Sequence, residues 1–224
     1  MIDLKNIDGV GPVMDLPLSD SAKCKVLNLS SSNKNLTPEV FNDMDRFNQF
    51  INEELKGYEC GIGGYLENRS IYQRSSIFKG DEARSLHLGI DIWAPAHSEV
   101  FAPIEGKVHS FADNADFGDY GPTIILEHKL EGELLYSLYG HLSKTSLIDL
   151  YPGKKISLGD KIASLGEESE NVGWPPHLHF QLMKDMQDKS GDYPGVCKPS
   201  EKESYQAKCP NPNLVLRSKL LPIT

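Results

Sequence analysis

Two periodicities divide this chain. Over residues 38–56 the apolar residues Val40, Phe41, Met44, Phe47, Phe50, Ile51 and Leu55 recur at helical spacing and fall on one face. Thr37 stands in an N-cap position, Pro38 at the first helical position, Glu39 at the positive end of the dipole and Gly57 just beyond the last apolar residue. The spacing predicts one helix over 38–56 that packs through a stripe of phenylalanines. From Arg84 the period changes to two, punctuated by Gly or Pro. It predicts strands at 86–92, 106–112, 122–128, 133–141, 161–165 and 177–183, with a hairpin loop at Lys129–Gly132. Residues 1–36 show no sustained period beyond one short strand at Lys25–Leu29, and Gly61, Gly63 and Gly64 read as a turn. The tail carries Pro194, Pro199, Pro210 and Pro212 and is read as a wrap over the surface. The fold class is therefore mainly β, an α+β arrangement with an N-terminal helix and an antiparallel β-rich domain. The expected divisions are an N-terminal extension over 1–80, a β domain over 81–187 and a Pro-rich C-terminal wrap over 188–224.

Composition narrows the function. A chain of 224 residues that is 39% hydrophobic and 25% charged can bury a core. Its net charge of -9 argues against nucleic acid or an anionic membrane as partner, because both need clustered Lys and Arg. No apolar run approaches the ~18 residues of a membrane span. The start, Met1-Ile2-Asp3-Leu4-Lys5, has no basic n-region, and Asp3, Asp8 and Asp15 interrupt any apolar stretch. The expected location is the cytoplasm if the chain is complete as it stands, and the cell envelope or outside if a leader has been removed. Cys24, Cys60, Cys197 and Cys209 form no CxxC pair and are read as free thiols, although Cys197 and Cys209 are spaced to close a loop. Oligomeric state is left open.

The chemistry lies in three segments. Strand parity puts His87, Gly89 and Asp91 on one face, with Leu88, Ile90 and Ile92 on the other. The same parity groups His177, His179 and Gln181 opposite Leu178, Phe180 and Leu182. His141 closes a third strand, Leu-Tyr-Ser-Leu-Tyr-Gly. Chance alone supplies on the order of 0.2 HxH and 0.5 HxxxD pairs in such a chain, so neither pair is informative by itself. Their shared placement on alternating strands points to a metal site. A catalytic zinc keeps three protein ligands and an open position, where it acidifies water toward a pKa of ~7. No HExxH is present, so the general base falls to a remaining histidine. His97, His109 and His128 are read as surface or hydrogen-bonded strand residues, Trp93 as core and Trp174 as loop packing, with lining of the groove as its alternative because it stands three residues before His177. The loops 113–121 and 166–176 are placed to wall a cleft. Tyr65 and Tyr72 precede the first motif, and neither is assigned a role.

His87-Leu-Gly-Ile-Asp91, Tyr139-Gly-His141-Leu142 and His177-Leu-His179-Phe180 stand in the order of the signature of lysostaphin-type (LytM-like) zinc metallopeptidases. Val100-Phe-Ala-Pro103, Gly106-Lys-Val108 and Gly159-Asp160-Lys161-Ile162 extend the resemblance over about Ser85–Leu182. The resemblance implies a LytM-like, duplicated-hybrid-motif β domain. It makes His87, Asp91 and His179 the ligands of a Zn2+ ion, and His141 and His177 the unliganded pair that acts on water, oxyanion or leaving amine. It further implies an endopeptidase working through zinc-bound water on peptidoglycan-like peptides that contain Gly or D-amino acids. The chain departs from the pattern in its turn Pro95-Ala-His97-Ser-Glu99 and in the acidic loop 167–176. Residues 170–215 are similar to a subgroup fused to kinase-like and aminotransferase domains, which would fit an intracellular, non-wall substrate. The rival reading is a non-catalytic zinc-binding or regulatory module on the same fold. A biotinyl- or lipoyl-carrier reading fails, because no modifiable lysine sits between Met or Ala neighbours at a hairpin.

Overall fold

The computed structural model describes residues 7, 9–71, 84–116 and 118–223. In chain order the strands are β1 (Cys24–Val26), β2 (Cys60–Gly63), β3 (Leu86–His87), β4 (Ile90–Trp93), β5 (Glu99–Phe101), β6 (Gly106–Asn114), β7 (Gly121–Leu130), β8 (Glu133–Gly140), β9 (Lys155–Ile156), β10 (Lys161–Ser164), β11 (His177–Met183) and β12 (Val196–Cys197). The helices are α1 (Pro38–Phe41), α2 (Met44–Glu54), α3 (Lys202–Lys208) and α4 (Asn213–Leu216). Eight strands form the main sheet in the order β1-β2-β4-β11-β8-β7-β6-β9. Every pairing in it is antiparallel except β1 with β2. The mainly β, antiparallel class expected from the period-two pattern is what the chain forms. No helix among the described residues is long and apolar enough to cross a membrane.

Alternation divides the sheet. Ile62, Ile90, Ile92, Leu126, Tyr139, Leu178, Phe180 and Leu182 point into one large apolar cluster. A second cluster, around Leu88, Tyr120, Leu138 and Met183, and a third, around Leu29, Phe47, Ile51, Ile71 and Trp93, flank the polar residues of β4 and β11. The segment before residue 81 is woven into this structure: β1 and β2 extend the main sheet beside β4, and α2 covers its third cluster.

Four local expectations need correction. The single helix over 38–56 is two helices. Asn42 ends α1, and Asp43 adopts an extended conformation whose carboxylate accepts from Asp45 N and Arg46 N at 3.0 and 3.2 Å. Short Asx side chains compete in this way with continuation of a helix. The strand expected over 86–92 is also divided. Leu66 and Glu67 bond the backbone of His87, and Gly195 accepts from Leu88, so β3 is held outside the main sheet. The chain then passes Gly89 into β4. Gly61 and Gly63 lie in β2 rather than in a turn: a Cβ at Gly63 would meet the Leu27 carbonyl oxygen at 2.7 Å, so side-chain-free residues are required where these segments touch. The tail from 188 is no plain wrap, since it forms β12, α3 and α4 and buries Cys209, Asn213 and Val215. All four cysteines are buried thiols.

Candidate active site

β11 is the central element. Its register sets His179 opposite Asp91 of β4 on one side and Gly140 of β8 on the other, and sets His177 opposite Trp93. His87 reaches the same point from the end of β3. The three ligand-type atoms form a small triangle: His87 Nε2 to His179 Nδ1 is 2.9 Å, His179 Nδ1 to Asp91 Oδ1 is 3.2 Å and His87 Nε2 to Asp91 Oδ1 is 3.3 Å. Gly89 makes the triangle possible, because a Cβ there would lie 2.5 Å from His179 Cε1.

The protonation of each corner follows from its other partner. His87 Nδ1 faces the Gly64 carbonyl at 3.1 Å and therefore donates, which leaves Nε2 bare. Gln181 Nε2 donates to Pro194 O at 3.1 Å, which turns Gln181 Oε1 toward His179 Nε2 at 2.9 Å. That nitrogen donates, so in the neutral ring the lone pair of His179 lies on Nδ1. Burial, seconded by the Arg69 guanidinium, pushes His87 down to about 3. Burial alone would raise Asp91, but the neighbouring His87 and the Arg69 guanidinium bring it well below the usual carboxylate range. Asp91 Oδ1 is buried and accepts no hydrogen bond among the described residues. Two lone-pair nitrogens and a carboxylate oxygen thus face one another at contact distance, a donor set that a small cation among them would satisfy. Ligands of a tetrahedral ion with bonds of ~2.0–2.2 Å lie about 3.3–3.6 Å apart; the two edges to Asp91, 3.2 and 3.3 Å, come close to that, and the histidine–histidine edge is shorter at 2.9 Å. The residues present fit a small divalent metal.

The sequence-predicted pair lies beside the triangle. His141 follows β8 in a left-handed conformation with φ 61°, held by Tyr120 O and Gly166 N. Its ring centroid is 4.1 Å from that of His177. His177 Nδ1 donates to Pro175 O at 2.7 Å, and its ring stacks on Trp93 at 5.6 Å. Burial, together with the neighbouring imidazoles, lowers His141 well below the ordinary histidine value and lowers His177 as well. Both are neutral imidazoles near pH 7 with proton-accepting capacity.

All five residues line one cavity of about 250 Å³. Loop residues Asp116, Asp119 and Tyr120 bound it on one side, as the sequence expected, and Leu29, Phe47 and Trp174 bound it on another. Trp174 is more than loop packing: it meets Phe47 edge-on at 5.8 Å and lies 6.3 Å from both His141 and His177. Tyr65 is elsewhere, donating to Cys209 O, and Tyr72 lies outside the described residues. His97 is exposed beside Glu167, and His128 is buried between Glu105 O and Ser137 Oγ. Arg69 and Tyr120 escape sequence reading. The Arg69 guanidinium reaches Asp91 Oδ2 at 2.5 Å, and the Tyr120 ring lies 4.9 Å from His179. Neither stands in a motif, and only the fold brings them in.

Solved structures similar to the chain include a zinc-containing peptidase from Vibrio cholerae, 24% identical with a TM-score of 0.39 over 53% of this chain and 31% of that one. Others are the catalytic domain of lysostaphin from Staphylococcus simulans, 22% identical with a TM-score of 0.42 over 68% and 96%, and a prophage-encoded M23 protein of Enterococcus faecalis, 25% identical with a TM-score of 0.37 over 50% and 80%. The chain thus spans about a third of the length of the Vibrio protein. A search of curated proteins finds no match. Residues 85–191 match the sequence model of peptidase family M23, a span that takes in the triangle and both neighbouring histidines. The match takes in just under half of the chain and gives residues 85–191 the sequence pattern of a domain of peptidase family M23.

Proposed function

We propose that the chain is a zinc-dependent endopeptidase that hydrolyses a peptide bond in peptidoglycan-like peptides containing Gly or D-amino acids. The observation that carries this reading is the triangle of unprotonated donors set beside two neutral histidines in one cavity. His87, Asp91 and His179 are the residues that would hold the ion. Zinc, when bound, supplies Lewis acidity, which polarises a peptide carbonyl and acidifies water. The chain's own groups do the rest. His177 keeps its Nδ1 proton on Pro175 O, so its Nε2 lone pair is the atom available to take a proton from the attacking water. His141, whose Nδ1 has no hydrogen-bond partner among the described residues, would hold the oxyanion or return a proton to the leaving amine. The substrate class comes from the lysostaphin-type resemblance.

The test is mass spectrometry of products after incubation with peptidoglycan fragments and with a pool of Gly- and D-amino-acid peptides, each with and without a zinc chelator. Chelator-sensitive cleavage is expected and would name the scissile bond. No cleavage by a zinc-loaded chain would overturn the wall-peptide reading, and zinc binding without hydrolysis of any peptide would favour a binding module.

A further inference from the structure

Each ligand of the triangle has a supporting partner, but the partners come from different parts of the chain. Gln181, which supports His179, lies within the family match, whereas Gly64 and Arg69, which support His87 and Asp91, precede it. We propose that Arg69 is a positioning residue of the metal centre: it fastens Asp91 Oδ2 so that Oδ1 alone is presented to the ion.

This inference rests on the metal reading above. An untethered carboxylate can bind a metal through either oxygen or through both. Here the side chains of Arg69 and Asp91 are 4% and 3% exposed, and Arg69 Nη1 donates to Oδ2 at 2.5 Å. The oxygen left over is the one that faces both bare ring nitrogens.

Arg69 is itself fixed. Its Nε donates to Glu67 Oε2 at 2.7 Å, Glu67 Oε1 accepts from Leu29 N at 2.9 Å, and the Arg69 backbone N–H bonds Ser85 O at 2.8 Å. Gly64, with φ 121°, leaves room for the group: a Cβ there would collide with Arg69 Nη2 and Glu67 Oε2. The carbonyl of the same glycine holds the His87 tautomer. One short stretch, Gly64–Arg69, therefore supports two of the three ligands. A lone guanidinium would repel a divalent cation, but Glu67 offsets its charge at contact distance. Orientation is the effect that remains, and partners of this kind set metal affinity by about 10- to 100-fold.

The experiment uses the full chain. Zinc dissociation constants are measured by competition with a chromophoric chelator, and the visible spectrum of the Co2+ form is recorded, for the wild type, Arg69→Gln, Arg69→Lys and Glu67→Ala. Circular dichroism monitors folding. Arg69→Gln is expected to weaken zinc binding about 10- to 100-fold and to change the cobalt spectrum as Asp91 turns. Arg69→Lys should recover part of both, since it keeps one donor and the charge. Wild-type affinity and an unaltered cobalt spectrum in folded Arg69→Gln would overturn the proposal and leave the metal centre standing. Should Arg69→Gln not fold, Glu67→Ala decides, because it only releases the guanidinium's anchor: affinity equal to wild type there would overturn it. A wild-type chain that takes up neither ion would remove the metal reading itself, and this inference with it.

Discussion

At Gly89 one methyl group separates two outcomes. An alanine there would put its Cβ 2.6 Å from His179 Nε2 and 2.9 Å from Phe180 O, and the ring is held in place by its bond to Gln181 Oε1. Gly89→Ala is expected to cost about 1–3 kcal/mol through overpacking and to lower zinc stoichiometry, read by thermal unfolding and metal analysis of the same sample. At position 177 the expectation is the reverse, with chemistry lost and structure kept. His177 borders the triangle without belonging to it, so His177→Ala should retain one zinc per chain while kcat falls by roughly 10²- to 10⁴-fold. Hydrolysis at the wild-type rate in that variant would remove His177 from the mechanism.

Among the elements, α2 links the N-terminal segment to the cleft. Asp43 caps it, and Phe47, buried on its inner face, meets Trp174. Asp43→Ala is expected to cost ~1 kcal/mol in urea unfolding through loss of the cap. Phe47→Ala should cost about 3–5 kcal/mol and should also shift the fluorescence of Trp174, which the cap variant leaves in place. If Trp174 emission did not respond to Phe47→Ala, the helix would not shape that wall of the cavity. β11 has a different vulnerability. Its alternation sends Leu178, Phe180 and Leu182 into the core and His177 and His179 into the cleft, so a one-residue slip would exchange them wholesale.

At the scale of the whole molecule, stability is tied to pH through buried histidines, of which His128 lies outside the cavity. His128 is buried on β7 between Glu105 O and Ser137 Oγ, and burial lowers its pKa below the ordinary value. The unfolded chain then binds a proton there more readily than the folded chain. The stabilising contribution is complete above the unfolded pKa of about 6.5 and is lost as pH falls toward the depressed folded value. His128→Gln should flatten the fall in unfolding free energy between neutral and mildly acidic pH, and an equally steep fall would assign the acid sensitivity elsewhere. Zinc should raise the melting temperature of the folded chain by mass action, with about 2.7 kcal/mol expected at a hundredfold excess over Kd, and a chelator should reverse it.

What the sequence by itself determined is what depends on near neighbours. The period-two alternation of 177–183 and 133–140, the helix-forming stripe around Phe47 and the five residues His87, Asp91, His141, His177 and His179 were legible because strand parity and ligand chemistry are local properties. Even the break before α2 had a local cause in Asn42-Asp43, which the continuing apolar stripe concealed. Tertiary structure alone decided the rest. β1 only overlaps the strand expected at Lys25–Leu29, β2 is four residues long, and their parallel pairing across a long connection is marked by no period. β3 leaves the line of β4 because Glu67 and Gly195, distant in sequence, take its hydrogen bonds. Arg69 meets Asp91 and Phe47 meets Trp174 only after the sheet has closed. A lone arginine in an unpatterned stretch carries no local sign of its partner, because the energy that places it is the burial of two charges that folding brings together.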